Sequence, residues 1–400
     1  MKSRTLPSIF LLVAVLCTVA TAQYQPSHGK QPQYAVYSFG APLGGSASGA
    51  AAINNLGLVA GDSNVTGDAT EHAFLWAYGA GFDLGTLGGP NSAVLWPGLN
   101  GDGLAVGVSD TSMNDPLGET WSCGAFFPPS HDGYTCVGFV WQNNTMTALP
   151  TLGGNNGFAT AVNDSGKIVG WAETSYHDPT CVAPQVLQFL GVEWGPDGKV
   201  LHRLKPIGGD RDSAATGINQ EGQVVGISGI CQNAVGNLSA KHAVLWDHGE
   251  VADLGNLGGK AWNTPMAINN RGQIVGFSDL RGDQHGNNPN FHAFLWTQEK
   301  GMQDLGVLEG DSISEALGIN DEGQVVGVSF AAGFANPRAF LWQNGVMTDL
   351  NKLSLNSSLT LQVGQEINDL GVIVGQAVGQ GSGACGASSA GCAFAAVPQW

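Results

Sequence analysis

Positively charged residues are scarce in this sequence. Its 400 residues include 15 Lys and Arg against 32 Asp and Glu, so the formal net charge is −17 at pH 7. Nucleic acids and anionic membrane surfaces are bound by clusters of Lys and Arg. The charge balance therefore argues against either of them as the main partner.

Apolar runs long enough to cross a membrane are also missing. A spanning helix needs about 20 apolar residues, and the apolar stretch at residues 9–20 is shorter. Lys2 and Arg4 precede this stretch, and a small-residue cleavage site ends at Ala22. These features predict a signal peptide over residues 1–22. We expect a secreted protein, extracellular or periplasmic, with no membrane span.

Cysteine patterns typical of metal sites are absent as well. None of the six cysteines beyond the signal peptide forms a CxxC pair or lies at zinc-ligand spacing from a histidine. We therefore expect no metal and no cofactor. An even number of cysteines in an exported chain predicts disulfides instead.

Glycine, in contrast, is abundant. The chain has 60 Gly residues, about twice the average frequency for globular proteins. Glycine supplies the positive φ angles that tight turns require, so this content favours a β-rich chain. Hydrophobic residues make up 43% of the sequence and include 11 Trp, which is enough apolar surface for a packed core rather than a disordered chain.

A signature recurs seven times along the sequence. It consists of an apolar residue, Asn, two variable residues, Gly, and an apolar run that ends in Gly, as in AINNLGLVAG (52–61). The marker asparagines are Asn54, Asn100, Asn163, Asn219, Asn269, Asn320 and Asn368. Two further elements follow the signature, typified by HAFLW (72–76) and FDLGTLGG (82–89). Each unit therefore contains four short candidate strands in about 50 residues, which is typical of a β-propeller blade.

The repeat predicts an all-β, seven-bladed β-propeller of four-stranded blades over residues 34–400, after a polar leader at 23–33. The seventh unit supplies only three strands, the last being CAFAAV (392–397). An unassigned strand, YAVYSFG (34–40), precedes the first complete unit. We expect residues 34–40 to complete the last blade, because a closed ring removes exposed sheet edges.

The three recurring elements together resemble the HAF-family extracellular repeat of bacterial secreted proteins. The likeness covers about residues 34–397, and it is weakest in units two, three and seven, which lack the histidine of HAFLW. The resemblance implies an extracellular repeat protein and brings no assigned activity or catalytic residue. Kelch-type repeats are the alternative, although their double glycine ends the second strand, whereas here it follows the fourth.

Residues that recur in every unit are expected to be structural. Equivalent histidines on separate blades (His72, His242 and His292) cannot converge on one ligand, so we interpret each as a strand-end hydrogen-bonding group. The tryptophans that end the third strands are expected to pack between blades. The marker asparagines are interpreted as turn residues rather than calcium ligands. No catalytic residue is assigned.

Insertions distinguish one face of the predicted ring. The loop between strands two and three is longest in unit two (about 110–137) and unit three (about 173–190), and all six cysteines fall in this loop class. Two pairs of cysteines each lie within a single loop. The two remaining cysteines lie in the corresponding loops of adjacent blades and form the third pair. The predicted disulfides are Cys123–Cys136, Cys385–Cys392 and Cys181–Cys231.

Loops on a rigid scaffold commonly carry function. We therefore place the ligand-binding surface on the face that carries these disulfide-bonded loops, which we call the stapled face. Neutral insertion is the alternative. Aromatic, Arg and Asp side chains in these loops, or at the starts of the innermost strands, are the predicted ligand contacts. They are Trp121, Tyr134, Arg211, Asp212, Trp262, Arg281 and Asp311.

Two functions agree with this pattern. The favoured one is a secreted, non-catalytic binding module, expected to be a monomer, that recognises an extracellular protein or glycan. The alternative is a secreted hydrolase or lyase that acts on an extracellular polymer, with its reactive groups at the channel mouth. A deep pocket lined by carboxylates of perturbed pKa favours the enzyme, and a shallow face favours binding.

Overall fold

The computed structural model describes residues 32–119, 121–124, 127, 133–232, 236–282, 290–355, 357–379 and 391–399. The predicted signal peptide (1–22) and nearly all of the polar leader (23–33) lie outside these residues and stay predictions. Within the described ranges the strands form seven sheets.

Six of the sheets contain four strands that are consecutive in the chain and pair in chain order. Blade 1 comprises β2 (Gly44–Ile53), β3 (Val59–Val65), β4 (Glu71–Ala77) and β5 (Ala80–Asp83). Blade 2 comprises β6 (Gly88–Ala93), β7 (Ala105–Asn114), β8 (Tyr134–Gln142) and β9 (Thr145–Ala148). Blade 3 comprises β10 (Gly153–Val162), β11 (Ile168–His177), β12 (Leu187–Trp194) and β13 (Val200–Leu204).

The next three blades repeat this order. Blade 4 comprises β14 (Asp212–Ile218), β15 (Val224–Gly229), β16 (His242–Asp247) and β17 (Glu250–Asp253). Blade 5 comprises β18 (Gly258–Ile268), β19 (Ile274–Leu280), β20 (Phe291–Thr297) and β21 (Gly301–Gly306). Blade 6 comprises β22 (Ile313–Ile319), β23 (Val325–Ala331), β24 (Ala335–Gln343) and β25 (Val346–Asp349).

Blade 7 is assembled from both ends of the described chain. It contains β27 (Leu359–Ile367), β28 (Ile373–Gly379), β29 (Cys392–Gln399) and β1 (Gln33–Gly40). The pairing of β1 with β29 is antiparallel and sets Val36 opposite Ala396. The predicted closure is therefore confirmed, and the fold is the predicted seven-bladed β-propeller.

Blade 7 also has an edge element that the repeat did not predict. A short helix, α2 (Leu350–Leu353), leads into the two-residue strand β26 (Ser354–Leu355), which pairs parallel with β1. The other helical segments are α1 (Trp121–Gly124) and a 3-10 turn (Asn237–Ala240). Among the described residues, no helix has the length and apolar character needed to span a bilayer.

The N-x-x-G signature forms the turn between the first two strands of each blade. In blade 1, the Asn54 Oδ1 accepts the backbone N–H groups of Leu56 and Leu58, both at 3.0 Å. Gly57 adopts φ +79°, which a residue with a Cβ rarely does. The asparagine thus fixes the turn, and the glycine supplies its left-handed position.

The marker asparagines also join every blade to the next. Each side-chain Nδ2 donates to the backbone carbonyl of the following marker asparagine, at 3.0 to 3.2 Å, and Asn368 donates to Asn54. All seven residues are buried. We call this closed circle of hydrogen bonds the asparagine belt.

The recurring histidines have structural partners within their own blades. The His72 Nδ1 lies 2.9 Å from Asp83, the aspartate of the D-L-G element, and the corresponding distances in blades 4 and 5 are 2.8 and 2.9 Å. Arg338, which replaces histidine in blade 6, lies 3.3 Å from Asp349 in the same arrangement. The predicted structural role is therefore confirmed.

The repeated tryptophans pack between blades, as predicted. Trp76 of blade 1 packs with Ala393 and Ala395 of blade 7, and Trp342 of blade 6 packs with residues of blade 5. The Trp246 Nε1 donates to the carbonyl of Lys205, in the segment that connects blades 3 and 4. The core is thus a series of apolar layers between neighbouring blades.

Candidate functional site

The long connections of blades 2, 3 and 4 form one continuous structure on one face of the ring. We define the loop cap as the described residues within 110–136, 173–188 and 230–241. The Cys123–Cys136 disulfide closes the blade 2 loop, and Cys181–Cys231 joins the loops of blades 3 and 4. Both predicted pairs are confirmed. Cys392 is also disulfide-bonded, while its predicted partner Cys385 lies outside the described residues.

Hydrogen bonds connect the loops further. The Glu119 Oε1, in the blade 2 loop, accepts the N–H groups of Val186 and Leu187 of the blade 3 loop at 2.9 and 2.6 Å. The Val182 N–H donates to the Gln232 carbonyl at 2.7 Å, which links blades 3 and 4. The cap is therefore one cross-linked surface rather than three independent loops.

Buried carboxyl groups lie in the cap and beside it. Burial, with the nearby charge of Glu119, raises the pKa of Glu173 to about 7. Burial likewise raises the pKa of Asp212 to about 7, with Asp178 contributing. The Asp212 Oδ1 accepts the Phe189 N–H at 3.0 Å, so this predicted ligand contact is a buried link between blades 3 and 4.

The other predicted ligand residues differ in exposure. Arg211 is half-exposed, lies 3.6 Å from Asp178, and hydrogen-bonds Tyr176. Arg281 is exposed in the turn after β19, and Tyr134 is partly buried where β8 begins. Trp121 begins α1, and its side chain lies outside the described part of the structure.

The two remaining predicted contacts have structural partners in different parts of the ring. Trp262 packs against aromatic rings, and Asp311 forms an ion pair. The Trp262 ring packs against Phe277 and Phe291, with ring centroids 6.0 and 5.6 Å away. Asp311 lies 2.8 Å from Arg338. The sequence placed both residues around the channel mouth, and whether either contacts a ligand stays a prediction.

The central channel contains a plug from blade 2. Ser314 in blade 6 lies six residues before its marker asparagine, whereas the equivalent Ser92 in blade 2 lies eight residues before Asn100. Because of the two extra residues, Leu95 and Trp96 lie outside the strand. We call these two residues the plug. Trp96 packs edge-on against Phe158 of blade 3 and also joins the apolar cluster of blades 5 and 6. The side chain therefore crosses the ring.

A cavity of about 290 Å³ lies beside this plug. Blades 1 and 7 line it together with Leu95, and its polar groups include Asp62, Glu71, Gln365 and Gln376. Burial raises the pKa of Asp62 to about 7. Burial, and then the charge of Asp62, raises the pKa of Glu71 to about 8. The two acids are partly exposed, and their exposed surface faces the cavity.

The two carboxyl groups depart from the rest of the repeat. The strand registers make Asp62 and Glu71 equivalent to Trp171 and Phe189 in blade 3, and to Phe277 and Phe291 in blade 5. Those residues form aromatic pairs with ring centroids 6.0 and 4.8 Å apart. Blade 1 therefore places two acids where blades 3 and 5 place aromatic pairs, which packing does not explain.

Sequence reasoning missed this acid pair. Asp62 and Glu71 fall between the recurring elements, where a carboxylate is ordinarily expected to face solvent. A signal was nevertheless present, since alignment of the seven units sets Asp62 against Val108, Trp171, Ile227, Phe277, Val328 and Gln376. Five of these six equivalents are apolar and none is charged, while blade 7 places the polar Gln376 there, which lines the same cavity as Asp62.

Comparison with known proteins gives no family. No family model and no curated protein match the chain. Similar solved structures include the β-propeller domain of the Trilobed protease from Pyrococcus furiosus, with a TM-score of 0.45 and 9% identity over 83% of this chain and 91% of that one. A puromycin-hydrolyzing peptidase from Mycobacterium tuberculosis aligns with a TM-score of 0.40 and 11% identity, over 82% of this chain and 57% of that one. The fold assignment rests on the strand order and registers.

Proposed function

We propose that this protein is a secreted, non-catalytic binding module that recognises an extracellular protein or glycan through the loop cap. The cross-linking of three loops into one surface carries the proposal. A surface fixed before binding loses little conformational entropy when a partner docks. Disulfides are typical of exported proteins, so their presence in the cap supports the predicted secretion.

Exposed apolar side chains on the cap support a docking role. Met113 and Leu117 in the blade 2 part are 65% and 39% exposed, and Tyr176 and Val182 in the blade 3 part are 49% and 54% exposed. Arg211 hydrogen-bonds Tyr176 and so presents a cation beside an aromatic ring. Aromatic and Arg side chains are the usual anchors of protein interfaces, and aromatic faces also stack on sugars.

Glycan and protein arrays probed with the mature protein test this function. The wild type is expected to bind a defined set of array members. Substitution of Tyr176 and Arg211 by Ala is expected to weaken binding at least tenfold, or about 1.4 kcal/mol. Adding Trp121→Ala and Arg281→Ala extends the test to the predicted contacts.

Glu221→Ala with Glu322→Ala is the matched control, because both residues are exposed in turns outside the loop cap. Loss of binding in this control, with binding retained in the cap variants, would assign the surface to the other face. A wild type that binds no array member would contradict the function itself.

The pair of carboxyl groups Asp62 and Glu71 favours a second function. This function is a hydrolase that acts on a small substrate in the cavity beside the plug. Neighbouring carboxyl groups whose pKa values lie near 7 and 8 can exchange roles, one donating a proton while the other accepts one. A cavity of about 290 Å³ suits a small ester or a single sugar unit better than a polymer.

Hydrolysis of a panel of p-nitrophenyl esters and glycosides distinguishes this function from binding alone. The enzyme hypothesis expects turnover with a bell-shaped pH dependence whose limbs lie near 7 and 8, and loss of turnover in Asp62→Asn and Glu71→Gln. Glu315→Gln is the control, since burial also raises the pKa of Glu315 to about 7, but Glu315 does not line this cavity. Equal rates in all four proteins would contradict the hypothesis.

A further inference from the structure

A second cavity occupies the other end of the ring. It has a volume of about 570 Å³ and is surrounded by the N-x-x-G turns, so all seven blades contribute to it. We call it the turn-side cavity. Its described lining residues include five carboxyl groups and no Lys, Arg or His; the acids are Asp102, Asp164, Asp321, Glu366 and Asp369.

The cavity has a polar rim. The residue after each marker asparagine lies there, and in most blades its side-chain oxygen accepts the N–H of the equivalent residue in the preceding blade. The Asp369 Oδ1, for example, accepts the Asp321 N–H at 2.9 Å, and the Asp321 Oδ1 accepts the Asn270 N–H at 2.8 Å. These bonds hold the rim carboxylates in fixed positions around the opening.

Below the rim is an apolar ring. The residue before each marker asparagine lines the cavity, and all seven are aliphatic: Ile53, Leu99, Val162, Ile218, Ile268, Ile319 and Ile367. An alkyl chain that enters along the axis would therefore contact hydrocarbon on every side. Glu366, which directly precedes Ile367 of this ring, also lines the cavity.

Glu366 occupies a position that is otherwise kept small. The six equivalent residues, two before each marker asparagine, are Ala52, Gly98, Ala161, Gly217, Ala267 and Gly318. Small residues suit the crowded innermost strands: a Cβ on Gly318 would come within 2.9 Å of the backbone of blade 7. Blade 7 alone places a carboxyl group at this level.

The Glu366 carboxyl group lacks a counter-charge. Its Oε2 is buried and has no hydrogen-bond partner among the described residues. Burial raises the pKa of Glu366 to about 8, and the nearby Asp369 contributes. The Ile367 backbone also hydrogen-bonds the carboxyl group, but a buried oxygen without a partner still costs free energy that a bound cation would recover.

We propose that the turn-side cavity binds an alkylammonium group, with Glu366 as its ion-pair partner and the aliphatic ring around its hydrocarbon chain. The group is presented either by a free diamine, whose second ammonium reaches the rim acids, or by a lysine side chain of a protein partner. A metal ion fits less well, because no three His, Cys, Asp or Glu side chains of the described chain are grouped to hold one.

Calorimetric titration with 1,4-diaminobutane and with the tripeptide Gly-Lys-Gly tests this site. At pH 8.5 the wild type is expected to bind at least one of them, and the tighter ligand identifies the source. Glu366→Gln is expected to weaken binding at least tenfold. Glu315→Gln is the matched control: it removes another acid of an innermost strand, one that does not line the turn-side cavity, and is expected to leave the affinity unchanged.

The pH dependence of the wild type provides a second readout that needs no variant. Pairing holds Glu366 ionised, so binding displaces its proton, and the affinity is expected to fall about tenfold per pH unit well below its pKa. Absence of binding of both ligands at pH 8.5, an unchanged affinity in Glu366→Gln, or an affinity independent of pH between 6 and 8 would each overturn the proposal.

Discussion

At the scale of single residues, the marker asparagine does more than its sequence position indicates. The N-x-x-G spacing predicts a turn residue, and the side-chain oxygen does fix the turn. The Nδ2 group additionally connects each blade to the next, which no local pattern reveals, because the acceptor lies 46 to 63 residues further along the chain or, for Asn368, 314 residues back. A side chain with both an acceptor and a donor is needed, and this explains why asparagine recurs rather than aspartate.

Removing one belt asparagine is expected to destabilise the whole ring. Asn269 is buried, accepts the N–H groups of Arg271 and Gln273, and donates to the Asn320 carbonyl. Asn269→Ala leaves the buried Asn320 carbonyl and the two partly buried N–H groups without this partner, so we expect the free energy of unfolding to fall by about 2–4 kcal/mol in urea denaturation. Glu221→Ala, at an exposed turn position, is expected to change it by less than about 0.5 kcal/mol. Equal effects of the two substitutions would contradict the structural role of the belt.

At the scale of elements, the four strands of each unit and their order could be predicted from the sequence. Turn residues mark the strand ends, and the alternation of repeated elements sets the blade. The helix α2, the strand β26 and the plug were not predicted. They arise where a unit departs from the repeat, and a departure has no other copies in the sequence against which to compare it.

The closing strand β1 permits a direct test of the ring. Tyr34 in this strand is fully buried within the apolar cluster of blade 7. Deletion of residues 23–40 exposes that cluster and the edge of β29, so we expect a lower melting temperature and concentration-dependent aggregation. Deletion of residues 23–31 alone keeps β1 and serves as the control. Identical melting of the two truncated proteins would mean that β1 does not close the ring.

At the scale of the whole molecule, carboxyl groups with raised pKa values are expected to set the pH dependence of stability. Burial raises six carboxyl pKa values to about 7 or 8; the residues are Asp62, Glu71, Glu173, Asp212, Glu315 and Glu366. The folded state therefore binds more protons than the unfolded state between about pH 4 and pH 8. Stability is fully present at the acid end of this range and is lost as pH rises.

Calorimetry at several pH values checks this expectation. The melting temperature is expected to be several degrees higher at pH 5 than at pH 8. The double variant Asp62→Asn, Glu71→Gln removes two of the six acids and is expected to flatten the dependence. A melting temperature that is constant or increases between pH 5 and pH 8 would contradict the assignment of these groups as buried and neutral at low pH.

The stapled face could be predicted from the sequence because cysteines and insertions coincide in the same loops. The fusion of the loops into one cap could not, since it depends on contacts such as Glu119 with Leu187 between residues of different blades. The acid pair Asp62 and Glu71 also required the registers, because only these set the two residues against the aromatic pairs of blades 3 and 5.

Hydrogen–deuterium exchange with the partner found on the arrays tests the central claim, that the loop cap is the binding surface. Amides of residues 173–188, 230–232 and 236–241 are predicted to be protected in the complex, while those of the seven N-x-x-G turns exchange as in the free protein. Protection confined to the turns, with unchanged exchange in the cap, would contradict the account.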